Sequence, residues 1–269
     1  MLVSVIIPTY DRPEFTREAV ESVLAQSFQD FEIIVVDDGS GSDHQNIRVS
    51  EDQRVRVFQR QHRGAAAARN FGVSVSAGKY IAFLDSDDLW EKKKLEKQLE
   101  YLRRGPEYKI CYTGERWLRG GEHLNQMKKH QKYHGWIFDK CLPLCIISAS
   151  SILMERQMLD ELGGFDESLP VCEDYDLWLR LSLRYPIAFI DEQLIVKRGG
   201  HPDQLSRQYW GMDRFRVRAL QKLLSLKLST GQKELVRQEL MKKYNILASG
   251  ALKRKRFLLW LYYQFKQKC

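Results

Sequence analysis

Hydrophobic residues follow two alternating patterns along the first ninety positions of the chain. Apolar residues at helical spacing predict one helix that begins near Asp11 and another over residues 65–77. Runs rich in valine and isoleucine predict buried strands over residues 2–7, 31–36, 55–58 and 80–84. This order of strands and helices predicts an α/β fold with a mostly parallel central sheet flanked by helices.

Beyond residue 90 the pattern predicts mainly helices, with a strand at 187–190 and short strands around a polar loop between residues 109 and 154. The predicted helices cover residues 92–104, 155–162, a segment opened by Glu173, and about 210–245. We therefore expect a main domain over residues 1–210. A C-terminal helical extension over residues 211–269 carries a basic and aromatic tail.

Polar clusters follow three of the predicted strands, at residues 9–11, 37–38 and 85–88. The carboxyl ends of parallel strands meet at one edge of a sheet, where α/β proteins bind ligands. Strand alternation predicts that Asp85 and Asp87 point to the same side. Two carboxylates, phosphate oxygens and water can complete the shell of Mg²⁺ or Mn²⁺. The alternative is an acidic turn that only leads into the next helix, and we favour the metal and nucleotide site.

Four further polar residues have two interpretations each. Glu173 and Asp174 stand at a predicted helix start, where acidic residues often serve as caps. In the functional interpretation Asp174 acts as a general base, and Glu173 orients Asp174 or binds the acceptor. Arg69 follows a run of small residues and can face a phosphate or a base edge, or simply lie at the surface. His201 lies in a turn-rich loop and either contacts phosphate or has a structural role.

The charge of the chain is concentrated at its end. The net charge is +8, and the last 28 residues hold eight basic and no acidic side chains. The remaining chain is therefore neutral, which excludes nucleic acid as an expected partner.

The five cysteines lack paired zinc spacing and predict reduced thiols. We expect residues 1–8 to form a strand rather than a secretion signal.

The tail combines basic residues 253–256 with an aromatic and aliphatic block over residues 257–263. This combination favours peripheral contact of residues 251–269 with an anionic membrane surface, and the block is too short to span a bilayer. The alternative is an amphipathic helix packed on the main domain or on a second subunit in a homodimer. With the first interpretation we expect a cytoplasmic protein at the inner face of the cytoplasmic membrane.

Five motifs occur in order along the chain: residues 5–12 (VIIPTYDR), 35–40 (VVDDGS), 68–70 (ARN), 83–88 (FLDSDD) and 172–178 (CEDYDLW). Together they resemble the family 2 glycosyltransferases, which are inverting enzymes of the Rossmann-like GT-A fold. The resemblance implies hexosyl transfer from a nucleotide-diphosphate donor, with UDP-sugars as the expected donors. It also implies Mn²⁺ or Mg²⁺ as cofactor. The expected acceptor is a hydroxyl of a saccharide or lipid-linked saccharide in bacterial cell-surface polysaccharide or lipopolysaccharide synthesis.

The resemblance also assigns residues. It implies that Asp174 is the catalytic base and that Asp38 contacts the nucleotide base. The residues it implies for nucleotide-sugar binding are Pro8, Thr9, Tyr10, Asp11, Asp38, Arg69, Asp85, Ser86, Asp87 and Glu173. The candidate metal ligands are Asp85, Asp87, Asp88 and His201. Family members often have asparagine where Asp11 stands.

Two other classes of function stay open. A nucleotidyltransferase would have a glycine-rich, basic phosphate loop after the first strand, whereas residues 9–12 contain no glycine; a dinucleotide dehydrogenase lacks its motif for the same reason. A catalytically inactive sugar-nucleotide-binding or membrane-scaffold protein is the non-enzyme alternative. The full set of aspartates disfavours it, and a donor hydrolysis assay would distinguish the two.

Overall fold

A central sheet organises the computed structural model of the chain, which describes residues 1–41, 50–201, 204 and 208–267. Within these residues the sheet has nine strands. They are β1 (Val3–Thr9), β2 (Phe31–Asp37), β3 (Val55–Gln59), β4 (Tyr80–Phe83), β5 (Leu89–Trp90), β6 (Ile110–Arg119), β7 (Glu122–Leu124), β8 (Leu153–Glu155) and β9 (Ala188–Gly199). Their order in the sheet is β3-β2-β1-β4-β8-β6-β9-β5, and β7 pairs with β6.

Most helices lie in the predicted segments. The helices are α1 (Pro13–Leu24), α2 (Ala65–Val75), α3 (Lys94–Arg104), α4 (Phe138–Cys141), α5 (Arg156–Leu162), α6 (Glu173–Ser182), α7 (Asp213–Leu224), α8 (Thr230–Lys253) and α9 (Phe257–Lys266). Helix α4 falls within residues 109–154, where the sequence predicts strands and a loop, and α8 extends past the predicted end near residue 245. Helix α5 ends at Gly163, which adopts the left-handed conformation (φ 72°) that favours glycine at a helix end.

The sheet has two halves. Strands β3, β2, β1 and β4 are parallel, as predicted, whereas β8 runs antiparallel to both β4 and β6. Strand β9 pairs in parallel with β6 and is 12 residues long. The predicted strand over residues 187–190 covers only its beginning, because polar residues interrupt the apolar pattern from Asp191 onward.

Both faces of the parallel half are covered by helices. Ile6 of β1 belongs to the apolar cluster that contains the small residues of α2, while its neighbours Val5 and Ile7 belong to the cluster that contains α1. A Cβ atom on Gly72 of α2 would lie 2.4 Å from Ile6 Cγ2, so α2 packs directly on the strand. The absence of a side chain at Gly72 therefore lets this helix lie close to the sheet.

The C-terminal helices share the core of the main domain. Phe215 and Leu220 of α7 and Leu240 of α8 belong to the same buried cluster as Trp178 of α6. The division at residue 210 stays a prediction. In the described part of the chain, no helix is long and apolar enough to cross a membrane.

Candidate active site

The parallel strands β1, β2 and β4 bring the three polar clusters to one edge of the sheet. Thr9 at the end of β1 is in register with Asp37 at the end of β2. The next amide continues this ladder, because Asp38 N donates to Thr9 O at 2.9 Å. On the other side of β1, Leu84 N donates to Ile6 O at 3.0 Å and leads the chain into the aspartate-rich turn.

One end of this edge combines a buried carboxylate with two aromatic rings. Asp38 is 4% exposed and accepts hydrogen bonds from the amides of Arg63 at 3.0 Å and Gly64 at 2.7 Å. His62 Nδ1 lies 3.0 Å from Asp38 Oδ2, and its ring packs 4.5 Å from the ring of Tyr10. Tyr10 is 46% exposed, so the two rings form an accessible surface on which a planar base can stack.

The other residues of the first-strand cluster shape the chain. The Thr9 hydroxyl is buried at 2.6 Å from the hydroxyl of Thr16 in α1. Pro8 is half-buried within β1. Asp11 has a left-handed backbone (φ 51°), and its amide donates to Ser40 Oγ at 2.8 Å. Of this segment, Tyr10 is therefore the residue that presents a ring to solvent.

The aspartate cluster forms a turn rather than an extension of β4. The strand ends at Phe83, and Asp88 N donates to Asp85 O at 2.9 Å to close the turn. Strand alternation therefore does not set the orientation of Asp85 and Asp87, and a common side for the two carboxylates stays a prediction. Ser86, between them, is buried.

Two arginines hold the aspartates of this turn. Arg12 Nη1 lies 2.8 Å from Asp87 Oδ2, and Arg69 Nη2 lies 2.7 Å from Asp85 Oδ1. Burial lowers the pKa of Arg69, but Asp85 and Glu173 outweigh it and raise the value above its usual range. Arg69 is therefore a buried cation in the site and not a surface side chain.

Arg69 also connects the turn to α6. Its Nη1 lies 2.6 Å from Glu173 Oε1, and both side chains are almost fully buried. Burial raises the pKa of Glu173 to about 6, opposed by Arg69 and aided by Asp174. Glu173 therefore links the start of α6 to Arg69, and the residue at the N-cap position of the helix is Cys172.

Asp174 lies half-buried in the first turn of α6. The helix starts after Cys172, which has a left-handed backbone (φ 64°). Asp174 Oδ1 accepts from the amide of Tyr175 at 2.7 Å, and Oδ2 accepts from Cys145 Sγ at 3.3 Å. Among the described residues, no cationic side chain forms an ion pair with Asp174.

Asp88 and His201 occupy different surroundings from the Asp85–Asp87 pair. Asp88 is 1% exposed; it accepts from Ser150 Oγ at 2.6 Å and from Arg198 N at 3.1 Å. Burial raises the pKa of Asp88 well above its usual range. The His201 ring packs edge-to-face on Phe15 at 4.7 Å. Metal binding by these two residues stays a prediction.

Asp85 and Asp87 can hold a divalent cation if groups from outside the chain supply its remaining ligands. Over the residues that the structure describes, no cluster of three histidine, cysteine or acidic side chains is placed to hold a metal. Asp85 Oδ2 and Asp87 Oδ1 accept no hydrogen bond from another described residue, so each carboxylate can offer one oxygen. The remaining ligands would have to be phosphate oxygens and water.

Several residues of the site were not predicted as functional. Arg12 and His62 lie within five residues of the ends of predicted strands, which is the sequence signal that would have found them. Lys197 and Glu115 come from β9 and β6, whose pairing has no signal in the sequence. Lys197 and Lys132 outweigh burial and lower the pKa of Glu115 to about 2.

The comparisons with known proteins agree with this geometry. Residues 4–163 match the model of Glycosyl transferase family 2. Over 185 residues the chain is 45% identical to the putative teichuronic acid biosynthesis glycosyltransferase TuaG of Bacillus subtilis, covering 67% of this chain and 71% of TuaG. It is 31% identical over 185 residues to the UDP-Glc:alpha-D-GlcNAc-diphosphoundecaprenol beta-1,3-glucosyltransferase WfgD of Escherichia coli. This match covers 67% of this chain and 69% of WfgD. The chain therefore belongs to glycosyl transferase family 2.

Solved structures show the same fold at low identity. S. aureus TarS 1–349 in complex with UDP-GlcNAc superimposes with a TM-score of 0.76 at 18% identity, covering 98% of this chain and 79% of that one. The mannosyltransferase PcManGT from Pyrobaculum calidifontis, in complex with GDP-Man and Mn²⁺, superimposes with a TM-score of 0.65 at 17% identity. This match covers 99% of this chain and 83% of PcManGT. The fold is thus GT-A. The chain is also 33% identical to an uncharacterised glycosyltransferase of Rickettsia felis over 77% of this chain. The match covers only 35% of the length of the Rickettsia protein.

Proposed function

We propose that the chain transfers a hexosyl group from a UDP-sugar to a saccharide hydroxyl with inversion at the anomeric carbon. The observation that carries this proposal is the Arg69 bridge, in which the two terminal nitrogens of one guanidinium hold Asp85 and Glu173. Because Asp174 follows Glu173, this bridge supports a site formed by the aspartate turn and Asp174 at the carboxyl end of the sheet. The names of WfgD and of the TarS complex, both with UDP-sugars, support the choice of nucleotide.

The donor is proposed to lie along this edge. The nucleotide base stacks near Tyr10 and His62, with Asp38 beneath it as a hydrogen-bond acceptor. Each oxygen of Asp38 already accepts one amide, and a carboxylate has capacity for about four hydrogen bonds. The diphosphate then reaches Asp85 and Asp87.

Asp174 is proposed to accept the proton of the attacking hydroxyl. The hydroxyl oxygen forms a bond to the anomeric carbon, the bond from that carbon to the diphosphate breaks, and its electron pair leaves with the diphosphate. A single displacement of this kind inverts the centre. A positioned general base contributes roughly 10²–10⁴-fold to the rate.

Asp85 and Asp87 are the residues that would hold Mn²⁺ or Mg²⁺, each through its unengaged oxygen. When bound, the cation supplies Lewis-acid stabilisation of the charge on the diphosphate. The Mn²⁺ in the PcManGT complex supports a divalent metal. Arg12 and Arg69 keep the two carboxylates fixed in its absence.

The acceptor is proposed to be a saccharide or lipid-linked saccharide of a bacterial cell-surface polysaccharide or lipopolysaccharide. The names of TuaG, which refers to teichuronic acid, and of WfgD, which refers to a diphosphoundecaprenol acceptor, support this class. Such an acceptor would place the chain at the inner face of the cytoplasmic membrane.

Helix α9 is proposed to contact an anionic lipid surface. Of its ten residues only Tyr263 is buried, whereas Leu258 is 86% exposed and Phe265 is 64% exposed. The four basic residues 253–256 directly precede it and are exposed. Apolar side chains beside a basic cluster are complementary to anionic headgroups, and each basic residue near such a surface contributes about 1 kcal/mol.

A melting screen tests the donor assignment. The chain is heated with UDP-, GDP- and dTDP-sugars, with UTP, and with UDP alone, each with Mn²⁺ or with EDTA, and active donors are then tried for transfer to saccharides. We expect the unfolding temperature to rise for a UDP-sugar and to rise further with Mn²⁺. Stabilisation by UTP alone, with pyrophosphate release, would favour a nucleotidyltransferase. Binding of a sugar nucleotide without hydrolysis or transfer would indicate an inactive binding protein.

A further inference from the structure

Lys197 brings an ammonium group to the site without a direct carboxylate partner. The residue is half-buried on β9. In the part of the chain that the structure describes, no carboxylate oxygen lies within 4.0 Å of its Nζ. The other cations of the site are paired: Arg12 with Asp87 at 2.8 Å and Lys132 with Glu115 at 3.0 Å.

The backbone of β9 fixes Lys197 beside the aspartate turn. The next residue, Arg198, donates from its amide to Asp88 Oδ1 at 3.1 Å and from Nε to Asp87 O at 2.5 Å. Lys197 is also in register with Trp117 of the parallel strand β6. Because side chains alternate along strands, Glu115 of β6 lies on the same face as Trp117 and Lys197.

The charges of four carboxylates act on the ammonium, although none of these groups forms an ion pair with it among the described residues. Glu115, Asp88 and Asp85 outweigh burial and raise the pKa of Lys197, and Asp174 adds to this effect. The lysine is therefore charged at neutral pH. Among the described residues, neither the carboxylates proposed to hold the metal nor the proposed base forms an ion pair with it.

An open pocket gives a ligand access to this charge. The pocket has a volume of about 310 Å³, and its lining includes Trp117 of β6 together with Lys197, Arg198 and Gly200. A polar ligand in this pocket meets the lysine.

We propose that Lys197 Nζ binds the diphosphate of the donor and neutralises the charge that develops on it during transfer. The inference rests on the proposed function. It gives the diphosphate a second positive charge beside the metal, which the chain itself supplies. As the bond between the anomeric carbon and the diphosphate breaks, its electron pair passes to the phosphate oxygen next to the ammonium. The proton of the acceptor hydroxyl goes to Asp174, so Lys197 remains protonated throughout.

The test compares ligands with and without phosphate groups. Dissociation constants of UDP and of uridine are measured by calorimetry, in Mn²⁺ and in EDTA, for the wild-type chain and for Lys197→Met, Lys197→Arg and Lys79→Met. Lys79 is an exposed lysine at the opposite end of the sheet. We expect Lys197→Met to reduce the preference for UDP over uridine at least tenfold under both conditions, with uridine binding unchanged. Lys197→Arg retains most of the preference, and Lys79→Met retains all of it.

Other outcomes contradict the inference. If Lys197→Met keeps the preference for UDP over uridine, or lowers the affinity for both ligands by the same factor, the lysine does not bind the diphosphate. A changed pH profile of transfer with an unchanged preference would show that Lys197 acts on Asp174 instead. If the wild-type chain binds neither ligand, the proposed function fails, and the inference fails with it.

Discussion

Arg69 and Glu173 lie 104 residues apart in the chain and form a buried ion pair of 2.6 Å. The same guanidinium holds Asp85 at 2.7 Å. One side chain of α2 therefore sets the position of the aspartate turn after β4 relative to the start of α6. Because Asp174 follows Glu173, Arg69 also positions the proposed base.

Arg69→Met should destabilise the chain and abolish transfer. The change leaves Glu173 and Asp85 as buried carboxylates without their partner, and breaking a buried pair in this way costs about 3–5 kcal/mol. Urea denaturation measures the loss, and a transfer assay below the new midpoint measures activity. Arg63→Met is the matched control, because Arg63 forms an exposed pair with Glu167 at 2.9 Å and should cost less than about 1 kcal/mol. Equal losses for both variants would show that the Arg69 bridge has no special role.

Removal of the metal ligands should affect the metal-dependent part of donor binding. Asp85→Asn and Asp87→Asn each replace a carboxylate with a weaker ligand. We expect both to reduce the gain in UDP affinity that Mn²⁺ produces by at least tenfold, while uridine binds as in the wild type. Titrations in Mn²⁺ and in EDTA measure this gain, and Asp160→Asn on the exposed face of α5 is the control. If Mn²⁺ still strengthens UDP binding fully in both variants, the metal lies elsewhere.

Lys94 should make stability depend on pH above neutrality. Its Nζ donates to Gln98 Oε1 at 2.7 Å and lies 3.8 Å from the centre of the Trp90 ring. Burial lowers the pKa of Lys94 to about 7, whereas the unfolded lysine titrates near 10.4. Between these values the unfolded chain binds one more proton, so this group makes the free energy of unfolding rise by at most about 1.4 kcal/mol per pH unit.

Lys94→Met should remove this contribution. Urea denaturation of wild type and variant at neutral pH and two units higher gives the difference in slope, with the exposed neighbour in Lys93→Met as the control. Wild type and Lys93→Met should gain stability relative to Lys94→Met as the pH rises. An identical pH dependence for all three would mean that Lys94 stays protonated in the folded chain.

Helix α9 should determine binding to anionic vesicles. Leu258→Glu together with Phe265→Glu places two charges on its exposed apolar side, so binding to vesicles with anionic lipid should fall at least tenfold. Leu235→Glu on α8, at a side chain that is 39% exposed, is the control. Co-sedimentation measures binding, and higher salt should weaken it for the wild type. Unchanged sedimentation of the double variant, with a smaller mass by light scattering, would show that α9 is a dimer contact instead.

The sequence predicted the parts of the site that depend on single strands. Runs of valine and isoleucine located the strands, and the polar residues at their ends therefore converge as expected. The orientation of Asp85 and Asp87 was not predictable, because a turn replaced the strand geometry. The contacts of Arg69 with Glu173 and of Lys197 with the turn depend on how distant segments pack, and hydrophobic periodicity carries no information about that.

The position of Asp174 opposite the proposed diphosphate site is tested most directly by single-turnover transfer with Asp174→Asn. The control is Asp160→Asn, and the dissociation constant of the UDP-sugar is measured for each protein. We predict that Asp174→Asn slows transfer by roughly 10²–10⁴-fold while its donor affinity stays within a factor of three of the wild type. Transfer by Asp174→Asn at the rate of Asp160→Asn would contradict the assignment of Asp174 as the base.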